Sequence, residues 1–387
     1  MKFCFVCPNY LNTPFGGIDR ITVNNARALA ARGHDVHVVV THCNRPSDGR
    51  DGTVYVHERP LREFRGLGRW FPGLGLSSSL GRALSELHRM HGFNVVEVPN
   101  WEGLGLVPAL ARKLPVVIRH HTSMEDSLHA QQRKISWQEQ FVFWMERTSA
   151  RFAKMNLVHS EHHQNKLAQG MPHLRTMMIR HALPPATDRH HQGPQGSEGE
   201  EEEKVILSVG ALTPRKGIDT LLQAAHRALP WIEGWKVVLV GHDRNGVYEK
   251  KELAESDPAM RGRIRFAGFL DDESLQRAYE TCGIYVTASV FESFGLTCVE
   301  AMRLQKPVVA CRAGALPELV DHGRTGLLVS PGNAEELANA LVTLAQDPLL
   351  RREMGRCALE KASVLLDMNP ICDRYEGLAT DLANQKK

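Results

Sequence analysis

Two glutamates, Glu292 and Glu300, stand eight positions apart in the segment Val290-Phe291-Glu292-Ser293-Phe294-Gly295-Leu296-Thr297-Cys298-Val299-Glu300-Ala301-Met302. An apolar, strand-like run, Gly283 to Ala288, precedes the segment, and an amphipathic stretch with helical periodicity follows from it. The pattern predicts one carboxylate in the turn before a helix and the other facing inward about two turns later. Backbone N–H groups of Phe294, Gly295, Leu296 and Thr297 then fall at the helix N-terminus, where unpaired donors and the helix dipole stabilise an anion. Carboxylates accept hydrogen bonds from sugar hydroxyls, and a helix N-terminus holds a diphosphate. A nucleotide-sugar carries both kinds of group. Taken alone the segment reads better as a surface helix with two unrelated glutamates, so its neighbours decide.

Those neighbours read as alternating strands and helices. Val205 to Gly210 is a continuous apolar run closed by glycine, the mark of a buried parallel strand. Thr213-Pro214-Arg215-Lys216-Gly217 then begins a helix, with Asp219 and Thr220 in its first turn. Lys236 to Gly241 is a second such strand and Ile264 to Leu270 a third, followed by acidic Asp271-Asp272-Glu273 at the next helix start. Pro307 to Ala310 and Gly326 to Val329 supply further short strands.

From Lys204 to about Gly355 this ordered set resembles the nucleotide-sugar-binding half of the retaining glycosyltransferases of the group-1 family, the fourth family in the usual classification. The resemblance implies the GT-B fold: α/β, with two Rossmann-like doubly wound parallel-sheet domains facing across a cleft. It implies no bound metal for the chemistry and no cofactor beyond the nucleoside-diphosphate sugar donor.

The chain's 387 residues suffice for two domains with separate cores. Residues 188–203, acidic and without an aromatic or aliphatic side chain, cannot bury surface against their ordering entropy and read as a flexible linker. The first domain is expected over 1–187 and the second over 204–369, with 370–387 crossing back onto the first, as in the resembled fold. No apolar stretch is long enough to cross a bilayer. The start, Met1 to Pro8, has too short an apolar run for a secretory signal and reads as a first strand, so a cytoplasmic location is expected. Cys4 and Cys7 form a C-x-x-C pair, but within a strand their side chains point to opposite faces, which argues against a metal or redox site.

The net charge of +3 divides into +9 over residues 1–187 and −6 over 188–387. A basic first half favours an anionic acceptor or an acidic membrane surface, and ordinary solvated charge accounts for it about as well. Arg59, Arg62, Arg65 and Arg69 interleave with Leu61, Phe64, Leu67, Trp70 and Phe71. This segment is a candidate for peripheral contact with an anionic membrane or a lipid-linked acceptor, although its glycines favour a mobile loop over a regular helix. Nothing in the chain suggests a nucleic-acid partner, and its oligomeric state stays open.

In the first half, strands at Lys2–Val6 and Val36–Val40 flank a predicted helix over Ile21–Arg32. Gly16 and Gly17, in the connection after the first strand, allow close backbone approach to a phosphate. In the resembled family a Gly-Gly loop here faces the cleft near the donor diphosphate. Pro115 to Arg119 is a strand running out into His120-His121-Thr122-Ser123, and open α/β sheets bind ligands at that edge. The resemblance implies a histidine beside the donor sugar; His121 is preferred, with His120 one residue away. Asn100, Trp101 and Glu102, at another strand end, are candidates for the acceptor pocket by position alone. His159 and His163 have the spacing of a shared helix face, but no third metal ligand accompanies them.

Sugar transfer breaks the bond from the anomeric carbon to the diphosphate, so the site must hold the growing negative charge. Lys216 is the candidate for the fixed cation, helped by Arg215 and by the helix starting near Ser293. The family's pattern usually has an arginine where this chain has Ala211, which puts the strength or the means of leaving-group stabilisation in doubt. By resemblance Glu300 would accept bonds from ribose hydroxyls and Glu292 would lie by the donor sugar. Glu318 sits in a third loop of the same cleft, and the backbone at Phe269 and Leu270 would meet the base. His121, Lys216 and Glu292 form the expected catalytic set of a metal-independent, retaining hexosyltransferase. A sugar-nucleotide epimerase lacks the paired-glutamate segment, and a binding protein without turnover is encouraged only by Ala211.

Overall fold

The computed structural model describes residues 1–10, 17–66, 68, 70–130, 134–181, 203–255, 257, 260 and 262–385. The linker expected at 188–203 lies outside these residues except for Glu203. The chain divides into two compact units, Met1–Pro184 together with Leu366–Lys387, and Pro185–Leu365.

The first unit is built on an eight-stranded sheet. Its strands are β1 (Lys2–Cys7), β2 (Asp35–Val40), β3 (Ser47–Asp51), β4 (Val54–Glu58), β5 (Val95–Pro99), β6 (Val116–Arg119), β7 (Met155–Val158) and β8 (Thr176–Met178), in the order β3-β4-β2-β1-β5-β6-β7-β8. All pairs are parallel except the edge hairpin β3–β4. The helices between them are α1 (Gly17–Ala31), α2 (Leu74–His91), α3 (Leu106–Leu110), α4 (Met124–Ala130), α5 (Trp137–Phe152) and α6 (Glu161–Gly170). Residues of β1 alternate between two cores: Phe3, Phe5 and Cys7 pack with α1, and Cys4 and Val6 pack with α2. Cys4 and Cys7 are thus buried on opposite faces as free thiols. Helix α1 starts four residues before the predicted Ile21, with Asp19 in its first turn, where a carboxylate complements the helix dipole. Asp19 also accepts a bond from the Asn9 backbone at 2.9 Å, which ties the helix start to the end of β1.

The second unit has a six-stranded, all-parallel sheet. Its strands are β9 (Glu203–Val209), β10 (Lys236–Val240), β11 (Ile264–Gly268), β12 (Cys282–Thr287), β13 (Val308–Cys311) and β14 (Gly326–Val329), ordered β11-β10-β9-β12-β13-β14. Its helices are α7 (Ile218–Ala228), α8 (Val247–Glu255), α9 (Asp272–Thr281), α10 (Leu296–Met302), α11 (Leu316–Leu319), α12 (Ala334–Gln346) and α13 (Pro348–Leu366). The near-continuous apolar strands read from the sequence are these strands, as burial on both sheet faces requires. From β9 the sheet grows outward through β10 and β11, then resumes on the other side of β9 with β12. That reversal is a topological switch point, and the loops leaving β9 and β12 flank it.

Helix α14 (Met368–Asn384) closes the chain's path within the first unit. Its Ile371, Tyr375, Leu378 and Leu382 pack against Phe3, Phe5 and the α1 face of the sheet. Arg119, Glu97 and Tyr375 form a fully buried polar set beneath it: the Arg119 guanidinium donates to Glu97 at 3.0 Å and to the Tyr375 hydroxyl at 2.6 Å, and that hydroxyl donates to Glu97 at 2.7 Å. Among the described residues no helix is long and apolar enough to cross a membrane.

Candidate functional site

At the switch point of the second sheet, Lys216 and Glu292 meet. Lys216 ends a 3-10 turn, Pro214–Lys216, in the loop after β9, and Glu292 lies in the loop after β12. The Lys216 Nζ donates to Glu292 Oε2 at 2.6 Å, and the Ser289 hydroxyl donates to the same oxygen at 3.4 Å. Burial acts to raise the Glu292 pKa, but the Lys216 and Arg215 charges and these hydrogen bonds outweigh it, holding the carboxyl below its usual range. Both loops are tied together by backbone as well: Val290 N–H donates to the Arg215 carbonyl at 3.0 Å, and the Arg215 guanidinium donates to the Phe291 carbonyl at 3.2 Å.

A third loop, after β13, locks Glu292 from behind. Ala315 N–H donates to the Glu292 carbonyl at 2.9 Å. Gly314 has φ +57°, and a Cβ there would lie 1.9 Å from the Glu292 carbonyl oxygen, so only glycine lets the two backbones approach this closely. Glu318 follows on α11, half-buried.

Helix α10 begins at Leu296, three residues beyond the start expected near Ser293. Gly295, its N-cap, has φ +97°, a left-handed conformation that cannot belong to the helix. Phe294 and Gly295 therefore belong to the approaching loop, and only Leu296 and Thr297 of that group open the helix. Thr297 accepts a bond from the Tyr285 hydroxyl at 2.7 Å. Glu300 is buried one turn further in and accepts from the Tyr279 hydroxyl at 2.9 Å. At the end of β11, Phe269 is strongly exposed and Leu270 half-buried. Ala211 is exposed, next to Gly210.

The first unit carries the remaining candidates. Gly16 lies outside the described residues; Gly17 is the exposed first residue of α1. Asn100, just past β5, is buried, and its side-chain oxygen accepts from the His121 backbone N–H at 2.9 Å, so its amide positions the loop carrying His121. Trp101 and Glu102 follow, both half-buried, with Glu102 in a left-handed conformation at φ +54°. His120 and His121 are both buried and point to different partners. The His120 Nε2 bonds Asn156 at 2.8 Å, whereas the His121 ring stacks on His181 with centroids 5.8 Å apart. Burial pushes both imidazoles down, His120 to about 4 and His121 well below its ordinary value, where the nearby Arg119 adds to the effect. At neutral pH these rings are uncharged and suited to hydrogen bonding. His159 precedes the N-cap Ser160 of α6 and so lies off its helix face, but its ring meets that of His163 edge to face with centroids 4.9 Å apart.

The structure adds one acid that the sequence does not signal. Glu146, on the buried face of α5, has its carboxyl pushed up to about 8 by burial, which backbone hydrogen bonds at Met124 and Glu102 only partly oppose. A glutamate on a helix facing loops distant in sequence leaves no local signal. Gly314 and Ser289 were likewise missed, because their roles arise only where the loops meet.

The two halves of the chain match two family models: residues 15–186 the model named Glycosyltransferase Family 4, and residues 194–361 the model named Glycosyl transferases group 1. Sulfoquinovosyl transferase SQD2 of Arabidopsis thaliana is 32% identical over 170 residues, covering 43% of this chain and 31% of that protein. A D-inositol 3-phosphate glycosyltransferase of Kribbella flavida is 35% identical over 174 residues, 42% of this chain and 41% of its own length. The matched stretch thus spans less than half of these curated relatives. Among solved structures, sucrose-phosphate synthase from Thermosynechococcus elongatus superposes with a TM-score of 0.78 at 22% identity over 99% of both chains. Anabaena Alr3699/HepE, in complex with UDP and glucose, gives 0.69 at 23% identity over 98% of this chain and 100% of that one. At such identities the superpositions speak for the fold, which is GT-B. With matching family models over both halves and that fold, the chain belongs to the group 1 glycosyltransferases.

Proposed function

We propose that this chain transfers a hexose or N-acetylhexosamine from a nucleoside-diphosphate sugar to a carbohydrate or lipid-linked acceptor, with retention of anomeric configuration and in cell-surface polysaccharide or glycoconjugate synthesis. The observation that carries the reading is the Lys216–Glu292 pair at the switch point, where open α/β sheets receive their ligands. In the resting site the carboxylate neutralises the ammonium. An incoming diphosphate competes for Lys216, and Glu292 is then released to accept hydrogen bonds from the sugar hydroxyls.

In the reaction proposed, the bond from the anomeric carbon to the diphosphate oxygen breaks and an acceptor hydroxyl oxygen bonds to that carbon on the same face. The departing diphosphate takes the hydroxyl proton, so no side-chain nucleophile is required. Lys216 and Arg215 oppose the charge growing on the diphosphate, an electrostatic effect worth ~3–4 kcal/mol per positioned group. Neutral His121 donates or accepts a hydrogen bond at the sugar. Glu300 and Glu318 serve the ribose and sugar, and Phe269 with Leu270 the base. Exposed Trp70, Trp137 and Trp144, in a unit whose sequence is net basic, favour a lipid-linked acceptor at an anionic membrane.

The test is release of free nucleoside diphosphate from uridine, guanosine and adenosine diphosphate sugars, with and without acceptor extracts. Acceptor-dependent release with one donor supports the reading. Interconversion of the sugar without release would favour an epimerase. Binding without release would favour a non-catalytic binder, and failure of all the diphosphates to raise the melting temperature would end the donor assignment.

A further inference from the structure

A second chemical constellation lies in the first unit, formed by residues with no role in the reaction proposed above. His37 on β2 and His57 on β4 point to the α2 side of the sheet. They sit on paired strands, His57 opposite Val39, so the two imidazoles lie diagonally across adjacent strands. Helix α2 buries Leu80, Leu84 and Leu87 against that face, and His91, its last residue, continues the same stripe at helical spacing. Three histidines far apart in sequence are thereby brought together, each with a ring nitrogen within 4.8 Å of those of the other two.

The hydrogen bonds around this cluster fix which ring nitrogens carry the lone pairs. His57 Nδ1 bonds Asp48 at 2.6 Å, and His37 Nε2 bonds Asp35 at 3.1 Å. Ionised carboxylates only accept, so each of these nitrogens carries the hydrogen. In the neutral rings the lone pairs then fall on His57 Nε2 and His37 Nδ1, and these two atoms face one another at 2.9 Å. Two lone pairs at that distance repel unless something electron-poor lies between or beside them. A carboxylate holding the outer nitrogen of a histidine is also the arrangement that orients imidazole toward a metal. The end of α2 contributes the negative pole of its dipole, and Asp35 and Asp48 add negative charge, offset in part by Arg59, which bonds Asp48 at 2.8 Å.

We propose that His37, His57 and His91 form a binding site for a divalent first-row transition-metal ion, with zinc the ion expected, and a solvent molecule completing the coordination. Imidazole is a ligand of choice for zinc, copper and nickel, and three histidines with one open position is a recurrent zinc set. Tetrahedral zinc with ligands at about 2.0–2.1 Å requires nitrogens roughly 3.3 Å apart. The facing pair needs only a few tenths of an ångström of expansion, and half-buried His91 moves in from the helix end. Because β3, β4 and the end of α2 are all anchored through these side chains, the ion clips the sheet's edge hairpin to its covering helix. This role is independent of sugar transfer.

The test uses the full chain, stripped with a chelator and then titrated with Zn²⁺ by calorimetry and with Co²⁺ by visible absorption. The expected result is one ion per chain, a rise in melting temperature on zinc addition, and the intense visible bands of a low-coordinate Co²⁺ site. His91→Ala and His57→Gln should each weaken zinc on the order of 100-fold or more, and Asp48→Asn about 10–100-fold through the orientation of His57. His91 is half-buried at a helix end, so its variant tests the site even if His57→Gln fails to fold. Absence of zinc binding by the parent chain overturns the proposal. So does binding that survives unchanged in His91→Ala, which would assign the ion to other histidines. Loss of transferase activity plays no part in either outcome.

Discussion

The ammonium of Lys216 lies 2.6 Å from the carboxylate of Glu292, and both side chains are largely withdrawn from solvent. Neither charge is therefore idle in the resting protein. Any ligand that takes one partner must compensate the other; under the function proposed above, this would couple recognition of a diphosphate to recognition of a polyhydroxyl group.

This coupling separates the effects of removing each partner. Lys216→Ala and Glu292→Ala should each lower transfer about 100- to 1,000-fold, the usual cost of losing one positioned transition-state group. Lys216→Ala should also abolish most of the melting-temperature rise caused by nucleoside diphosphate. Glu292→Ala should keep or increase that rise, because its lysine is free for the phosphate. Equal loss of binding in both variants would show that the pair acts only as structure.

Gly314→Ala tests the loop that backs Glu292. The new Cβ would lie 1.9 Å from the Glu292 carbonyl oxygen at φ +57°, so the loop must move. Strain of this kind costs about 1–3 kcal/mol, and displacement of Glu292 should reduce transfer well beyond what the stability loss explains. Denaturant melts and initial rates measured on the same preparation distinguish the two effects.

Glu146 gives the chain a pH dependence opposite to that of a paired carboxylate. Its folded pKa is raised from 4.5 to about 8, so between those values the native state holds a proton that the unfolded chain has lost. Stability therefore falls as pH rises through that window and levels off above it. Glu146→Gln removes this dependence. Its advantage over the parent should be absent near pH 4 and grow to the order of a few kcal/mol by pH 8, read from urea melts at a series of pH values.

Tyr375 joins α14 to the first sheet through the buried Glu97 and Arg119. Tyr375→Phe removes a donor and an acceptor from that set and should cost about 1–3 kcal/mol. Glu97→Gln leaves the Arg119 guanidinium buried without its counter-charge and should cost more, about 3–5 kcal/mol. The reverse order in denaturant melts would mean that the hydroxyl, and not the ion pair, dominates the contact.

What could be read from the residues was whatever repeats locally. Strands β9, β10 and β12 are largely apolar because both faces of a parallel sheet are covered, and that pattern survives in one dimension. The polar edge strand β3, Ser47–Asp51, has no such pattern and is set by its hairpin partner. The loop positions of Lys216 and Glu292 and the helix carrying Glu300 were legible because their spacing follows strand and turn geometry, whereas the roles given to these residues rest on the family resemblance. The exact start of α10 was not legible, because Gly295 is left-handed and sits where a Cβ would crowd Leu316 and Leu319, two residues from a remote loop. Glu146, Gly314 and the His37–His57–His91 cluster were invisible for the same reason: each depends on contacts between segments remote along the chain.

The buried bonds of Tyr375 also set a timetable for biosynthesis. Arg119 leaves the ribosome 256 residues ahead of its phenolic partner, a lag of roughly 10–50 s at ordinary elongation rates. Throughout that interval the nascent N-terminal sheet has the part of its α1-side face that α14 covers left bare and a guanidinium–carboxylate pair half capped. Chaperone engagement should therefore concentrate on the early-made half and end when α14 emerges.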